Sequence, residues 1–500
     1  MNAPNDTQVL TQLYIDGRWL DGALGRTIAV VNPSTGTHLA DVAAGTPPDV
    51  ELAVACATRA FRTWRHTTGA ERAGYLRAIA AEVEVRRERL VMLQSLNNGK
   101  PQAEAHMDVD DVIATFNYYA QLAEQLDDPS GAEVSIPSIG HRARILREPC
   151  GVVALIVPWN FPMVTTAWKL APALAAGCTV VLKPSEITPL PELELASVIG
   201  SAGLPAGVFN AVTGTGADVG APLVAHPGIS KVSFTGSTSV GQTVMKTATD
   251  TLKGVSLELG GKSSIIVFDD ADLDLAVDLV EAGGFFNSGQ MCSATSRVLV
   301  ARELAPTLLA RLVERAERIV VGDPFAPDVR MGPLVSRAQF DRVRGHIEQG
   351  IADGARLVTG GGRPARAPEQ GFFIAPTIFT DVPPASALWR DEIFGPVLCV
   401  RAFDTEEQAV DMANDSEYGL VATVVTEDEA RGERVARALE AGVVWVNTPQ
   451  LIYPQTSWGG YKRSSIGREL GPFGLAAFQE IKQVLTRRQS NQPVYQKDVR

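Results

Sequence analysis

The order of apolar and polar positions divides the chain into stretches of different rhythm. Residues 11 to 31 alternate the two kinds around Asp16-Gly17 and Asp21-Gly22, which predicts short antiparallel strands joined by tight turns. From Val50 to Gln121 apolar residues recur at helical spacing among many Ala, Glu and Arg, so several amphipathic helices are expected, interrupted at Asn98-Gly99-Lys100-Pro101. From residue 151 short apolar runs (GVVALIV, CTVVLK, GVFNAV, KVSFTG) alternate with helical stretches at 163–176 and 191–202. That alternation predicts parallel strands with crossover helices. A second one follows Gly261: SSIIVF, RVLVA, RLVTG and VLCVRAF, separated by helices near 271–286, 303–319 and 336–353. Two α/β units sharing a crevice are the natural parse, with a ligand expected at the C-terminal ends of strands.

Twenty uncharged residues from Pro149 to Trp168 approach the ~18 needed for a membrane span. Pro158, Asn160 and Pro162 in the middle of the run argue instead for a buried strand followed by a turn, because helix breaks and a bare amide are expensive in lipid. Composition narrows the picture further. With 45% hydrophobic and 20% charged residues in 500, the chain can bury a large core. A formal charge of −12, from 45 basic and 57 acidic side chains, repels a phosphate backbone and an anionic membrane surface alike. Nucleic acid and membrane are therefore not expected partners. The five cysteines are scattered without a CxxC pair and the six histidines do not cluster, so no disulfide framework and no metal site is expected. A reducing, cytoplasmic setting fits, and the N-terminal MNAPNDTQ lacks a basic-then-apolar signal pattern.

Some motifs carry chemistry. In FNSGQMCSATS, Gly289 allows close backbone approach and small polar neighbours leave Cys292 reachable as a nucleophile, although an isolated cysteine is more often a small buried hydrophobe. In VSLELGGKS, Glu258 stands at a strand end before Gly260-Gly261, where it could enter a crevice as a base or merely cap the next helix. In VPWNFP two prolines fix the backbone around Asn160, whose amide could donate to an oxyanion or close an Asx turn. KVSFTGSTSVG reads as strand, glycine turn and helix start, so N–H groups and the positive helix end could face a pyrophosphate. GTGADVG spaces its glycines as GxGxxxG, one residue off the usual dinucleotide fingerprint, and is read first as a packing turn. In LKPSE, Lys183 and Glu186 follow the second strand of the unit and could grip ribose hydroxyls, although a Glu at a helix start also complements the dipole.

PWNFP, KPSE, FTGS, LELGGKS, GQMCSA, EIFGPV and WGGYKRS occur in this order, and by them the sequence resembles the aldehyde dehydrogenase superfamily over almost its whole length. The resemblance implies an α/β fold with a Rossmann-type NAD domain, an α/β catalytic domain and a small β oligomerisation arm. The boundaries expected are 1–126 with 150–257 for the NAD domain, 258–450 for the catalytic domain, and 127–149 with 475–500 for the arm and tail. Residues 451–474 return to the substrate tunnel and the NAD domain. The resemblance makes Cys292 the nucleophile and Glu258 the base for thioester hydrolysis. Asn160 and the Cys292 backbone N–H become the oxyanion hole, and Lys169 is counted among the catalytic residues. It assigns Val157, Trp159, Lys183, Glu186, Gly216, Phe234, Gly236, Ser237, Val240, Gly260, Glu392 and Phe394 to the cofactor. Glu186 favours NAD over NADP, since its carboxylate would repel a 2′-phosphate. Glu258 argues against the coenzyme A acylating branch, leaving water as the acceptor. A homo-oligomer, dimer or tetramer, is implied, with AEVSI and ARILRE forming a hairpin whose edge is free to pair.

Within the superfamily, GQMCSATSRVLV, GDPF, EIFGPVLCV and GVVWVN resemble the betaine aldehyde and ω-aminoaldehyde dehydrogenase branch. That likeness implies an aldehyde tunnel lined by Phe161, Trp168, Phe286 and Trp458, whose faces would attract an ammonium, with Asp108 and Asp111 at its entrance. The chain departs from the branch in having Phe at 161 and 286, where Tyr and Trp are common, and Met at 107 in place of Trp. Asp108 and Asp111, three apart, share one helix face. Two alternatives stand beside a cationic aldehyde: a broad apolar or aromatic aldehyde pocket, and a catalytically silent protein that keeps the fold.

Overall fold

The computed structural model describes residues 9–127, 131–137, 140–365 and 367–487. Two large sheets carry the molecule. The first has eight strands, and at its centre Phe209–Ala211, Thr179–Lys183, Val152–Ile156, Lys231–Thr235 and Gly254–Glu258 lie side by side in that order, all parallel. The strands run outward in opposite senses from Val152–Ile156, so a topological switch point lies between it and Lys231–Thr235, where a crevice opens beyond the strand ends. Three of these strands are buried at every position, as central strands between helical layers must be, and Val152–Ile156 is apolar throughout.

The first edge of this sheet is the hairpin Leu13–Ile15 and Arg18–Leu20. Asp16 and Gly17 both take positive φ, 54° and 74°, the geometry a two-residue type I′ turn requires. The other edge is Ser465–Ile466, which pairs antiparallel with Leu257 and Glu258. A segment about two hundred residues away in sequence is thereby fixed against the strand end that carries Glu258.

Helices Pro47–Trp64, Gly69–Val85, Arg87–Asn97 and Gln102–Glu124 fill the region expected to be helical. The third and fourth are separated at Asn98–Pro101, where Gly99 has φ 92° and Pro101 precedes the next helix. The uncharged run resolves into the strand Val152–Ile156, a turn through Trp159 and Asn160, and the helix Pro162–Ala176. No helix among the described residues is long and apolar enough to cross a membrane.

The second sheet has seven strands, in the order Arg356–Thr359, Thr377–Thr380, Val397–Phe403, Arg297–Ala301, Ser264–Val267, Val421–Val425 and Val443–Val446. RLVTG is a strand but runs antiparallel to its neighbour, unlike the rest; the connection over residues 360–376 holds no crossover helix among its described residues. A separate three-stranded sheet holds Ala132–Val134, His141–Pro149 and Gln479–Arg487. The hairpin expected from AEVSI and ARILRE forms, but its longer strand pairs on the other side over nine residues with Gln479–Arg487 of the same chain. The outer edges among the described residues are thus those of Gln479–Arg487, with Ile481 and Leu485 exposed, and of the short Ala132–Val134. Residues 128–130, 138–139 and 488–500 of the expected arm and tail lie outside the described residues.

Candidate active site

Cys292 sits on a loop whose shape is set just upstream. Asn287, Ser288 and Gly289 take consecutive left-handed conformations, φ 47°, 57° and 70°, which L-residues adopt only at a cost of about 1–2 kcal/mol each. Local bonds offset that cost: the Asn287 N–H donates to Glu104 at 3.0 Å, the Asn287 amide to the Asn160 carbonyl at 3.0 Å, and Ser288 Oγ to the Gly332 carbonyl at 2.9 Å. A Cβ on Gly289 would lie 2.2 Å from the Gly395 carbonyl oxygen, so only glycine fits. Gln290 completes the support, accepting from the Val335 N–H at 2.9 Å.

Asn160 reaches the same loop. Its side-chain amide donates to the Gln290 carbonyl at 3.0 Å, and an amide nitrogen carries a second N–H for an oxyanion. The Asn160 turn is itself held by Asn98, whose amide donates to the Trp159 carbonyl at 2.8 Å.

Glu258 ends its strand 3% exposed. Ser465 Oγ donates to its Oε1 at 2.6 Å, while its Oε2 has no hydrogen-bond partner among the described residues. The following Gly260-Gly261 turn abuts the nucleophile loop: a Cβ at Gly261 would lie 2.3 Å from the Cys292 carbonyl oxygen. Burial, and then the neighbouring charge of Glu469, hold the Glu258 carboxyl well above the usual carboxylate range. Glu469 forms a buried ion pair with Lys169, and Lys169 also donates to Thr235 Oγ1 at 2.7 Å. Burial, with the charges of Glu392 and Glu258, pushes the Cys292 thiol up to about 12, so the sulfur rests as a neutral thiol beside a carboxyl that binds protons tightly.

Several of the residues expected to hold the cofactor, Val157, Lys183, Gly236 and Gly260 among them, stand at or just after the C-terminal ends of the parallel strands. Gly236 and Ser237 lead into the helix Thr238–Ala248, capped by Ser237 Oγ on the Val240 N–H, and both Ser237 and Val240 are exposed. Its first-turn N–H groups suit a pyrophosphate. Phe234 packs under Gly236, where a Cβ would meet its ring at 2.6 Å. Lys183 donates to Glu186 at 2.8 Å and lies under Gly220, while Gly216 opens the adjoining helical turn. Val157 follows its strand and bonds back to the Lys183 carbonyl at 3.3 Å. On the far side, Glu392 accepts from the Gly261 N–H at 2.9 Å and crowds Gly260, where a Cβ would lie 2.5 Å from its Oε2. Burial brings Glu392 up to about 7. Phe394, at φ 61°, meets Trp159 edge-on at 5.1 Å.

The aromatic residues expected around the aldehyde come together as two pairs. Phe161 and Phe286 stack at 6.3 Å with 11° between their planes, and Trp168 and Trp458 meet at 5.4 Å. Trp168, Trp458, Phe161 and Cys292 belong to one apolar cluster. The acidic pair differs from expectation. Asp108 is 4% exposed, bound to Lys100 and to the Gln94 amide at 2.6 Å, and so does not stand open at a tunnel mouth. Only Asp111 turns toward the aromatic cluster, accepting from Trp168 Nε1 at 2.7 Å; burial lifts it to about 7. Lys100, unnoticed in the sequence as more than a breaker, lies over the Phe161 ring at 4.2 Å. Ser465 and Glu469 were also missed, because nothing in their local pattern signals a partner two or three hundred residues upstream.

With this geometry in view, the chain's relatives can be read. Residues 19–484 match the aldehyde dehydrogenase family, and the chain belongs to that family. A chloroplastic betaine aldehyde dehydrogenase of Beta vulgaris is 47% identical over 487 residues, 96% of this chain and 97% of the relative. Aminoaldehyde dehydrogenase 1 of Pisum sativum, peroxisomal, is 48% identical over 96% of both chains. A solved betaine aldehyde dehydrogenase of Staphylococcus aureus, in complex with NAD+, superposes with a TM-score of 0.93 at 39% identity, covering 96% of this chain and 95% of that one. The protein is an NAD-dependent aldehyde dehydrogenase.

Two outcomes follow. Gly289→Ala forces a side chain into a left-handed site already filled by backbone; kcat is expected to fall at least ~10-fold with a lower urea midpoint, measured by steady-state kinetics and denaturation. Glu469→Gln removes the like charge beside Glu258 and leaves Lys169 unopposed, so Glu258 ionises more readily. The rising limb of kcat against pH then moves to lower pH, and an unmoved limb speaks against their coupling.

Proposed function

We propose that the protein oxidises a cationic aldehyde, betaine aldehyde or an ω-aminoaldehyde, to its acid through a thioester on Cys292. The observation that carries this reading is the buried carboxyl of Glu258 with one unpartnered oxygen, on a turn packed against the Cys292 loop. The thiol adds to the aldehyde carbon and its proton leaves toward Glu258, whose raised affinity for protons matches a weakly acidic thiol. The oxygen of the tetrahedral adduct becomes negative and accepts from the Asn160 amide and the Cys292 N–H. NAD, when bound, supplies the acceptor for the hydride. Glu258 first releases the thiol's proton past Glu469, and as a carboxylate it then takes a proton from the water that attacks the thioester; the C–S bond breaks, the acid leaves and the sulfur regains its proton from Glu258.

For the cofactor the reading assigns Gly236, Ser237 and the helix N-terminus to the pyrophosphate, Lys183 and Glu186 to the adenosine ribose, and Glu392 with Phe394 to the nicotinamide side. Val157, Trp159, Gly216, Phe234, Val240 and Gly260 shape the walls. A domain division at 1–126 with 150–257, 258–450, and an arm built from 127–149 and 475–500 is consistent with the two large sheets and the small one. The exposed edge of Gln479–Arg487 is the surface we assign to pairing between subunits. Five unpaired thiols suit a reducing compartment.

Support for a cationic substrate comes from the paired aromatic faces and from Asp111 behind Trp168. A second reading, a neutral apolar aldehyde, is favoured by Lys100: its ammonium already occupies one face of Phe161 and repels a second cation there. Comparing kcat/KM for an aminoaldehyde and a neutral aldehyde of equal length decides between them, and a preference for the neutral one defeats the first. Under the first reading, Asp111→Asn lowers kcat/KM for the cationic aldehyde about 10-fold, near 1.4 kcal/mol, and leaves the neutral one unchanged.

A further inference from the structure

Away from the active site, at the opposite ends of the same strands, two thiols meet. Cys150 follows the arm strand His141–Pro149 and precedes Val152–Ile156, while Cys178 follows the helix Pro162–Ala176 and precedes Thr179–Lys183. The two strands they precede pair in parallel with Val152 opposite Thr179. Their sulfurs lie 3.6 Å apart. Both residues also share one backbone acceptor, the Phe478 carbonyl, which takes the Cys150 N–H at 3.1 Å and the Cys178 S–H at 3.3 Å.

We infer that Cys150 and Cys178 form a redox-responsive dithiol, closed to a disulfide by a hydroperoxide, that staples the arm and the C-terminal strand to the base of the first sheet.

Geometry and electrostatics both favour the step. Half-buried Cys150 is the point of contact with solvent, and Cys178 is fully buried behind it. The pair shares a proton. Burial pushes the Cys178 thiol up, but hydrogen bonds from the Cys150 thiol and from the Gly151 and Cys150 N–H groups, with the charge of Lys231, outweigh it, and the net direction is down. Lys231 is held there by its bond to Ser256 Oγ at 2.7 Å, and the Arg72 guanidinium also feels the Cys178 charge. The Cys150 thiol moves the other way, pushed up by its hydrogen bond with Cys178 and by burial, so the first proton lost leaves one thiolate that belongs to the pair, and a thiolate is the species that attacks a peroxide.

The attacking sulfur takes one peroxide oxygen as a sulfenic acid while the O–O bond breaks and the other oxygen leaves as water or an alcohol. The second sulfur displaces hydroxide from that sulfenic acid, which leaves as water with the remaining thiol proton. Two electrons pass from the two thiols to the peroxide, and an S–S bond replaces two S–H bonds.

The sulfurs must close from 3.6 Å to bonding distance, about 2 Å, a shift that side-chain rotation at the half-buried residue can supply. The resulting link closes the chain between residues 150 and 178, and cross-linking lowers the entropy of the unfolded ensemble. Its readout is therefore stability, separable from the chemistry of Cys292.

The test uses the full-length protein with Cys292→Ser, so that peroxide cannot spend itself on the nucleophile. Of the five cysteines, four then remain. Treatment with hydrogen peroxide is expected to lower the titratable thiols from four to two, to remove the mass of two hydrogen atoms, to yield one peptide pair joining Cys150 to Cys178, and to raise the thermal unfolding midpoint, all reversed by dithiothreitol. Adding Cys150→Ser abolishes the cross-link and the rise in midpoint. Four persistent thiols, a cross-link to any other cysteine, over-oxidation of one sulfur without a link, or a midpoint shift that survives Cys150→Ser would each overturn the inference.

Discussion

Crowding two carboxyl groups, Glu258 and Glu469, around one buried ammonium is the constraint on which the rest of the site depends. Lys169 neutralises Glu469 directly, and Glu258 is left with a single protein hydrogen bond in a place where charge is costly. Such a group keeps its proton longer than a solvated glutamate and gives it up only when the local charge changes. Reaction at a neutral thiol needs a partner of that kind. A solvated carboxylate would be too weak a base, and the charges named beside the Cys292 sulfur, Glu392 and Glu258, both raise its pKa.

Three distant parts of the chain must meet to produce that crowding. Lys169 comes from the helix after the Asn160 turn, Glu258 from the last parallel strand of the first sheet, and Glu469 from the segment beyond Ser465–Ile466. Pairing of Ser465–Ile466 with Leu257 and Glu258 fixes the third part against the second. The sulfur is brought to them by the left-handed run at Asn287–Gly289, whose strain is held by Glu104, Asn160 and Gly332. Glu104 sits one helical turn from Lys100 and Asp108, so the long helix Gln102–Glu124 supports the nucleophile loop from behind rather than presenting an open acidic mouth.

What the sequence revealed follows from how local each signal is. Strands buried on both faces read as apolar runs, and the helices read from their periodicity and from the Asn98–Pro101 break. The direction of Arg356–Thr359 was not legible, since periodicity does not encode pairing sense, and Thr377–Thr380 and Val421–Val425 were not picked out from their neighbours. Of the site, Cys292, Glu258 and Asn160 were legible because each lies in a distinctive turn of glycines or prolines. The roles of Ser465 and Glu469 were not, because they exist only through tertiary pairing. Asp108 was misread for the same reason: two aspartates on one helix face do not say whether that face meets water or the buried ammonium of Lys100.

The central claim is that Glu258 governs release of an acyl group from Cys292, and the most direct measurement is single-turnover mass spectrometry of Glu258→Gln with NAD and aldehyde. The account predicts no more than one equivalent of NADH per subunit, formed more slowly than by the parent because the thiol has lost its base, followed by a stalled protein carrying the acyl mass on the peptide of Cys292. Continued turnover at the parent rate with no acylated peptide would contradict it.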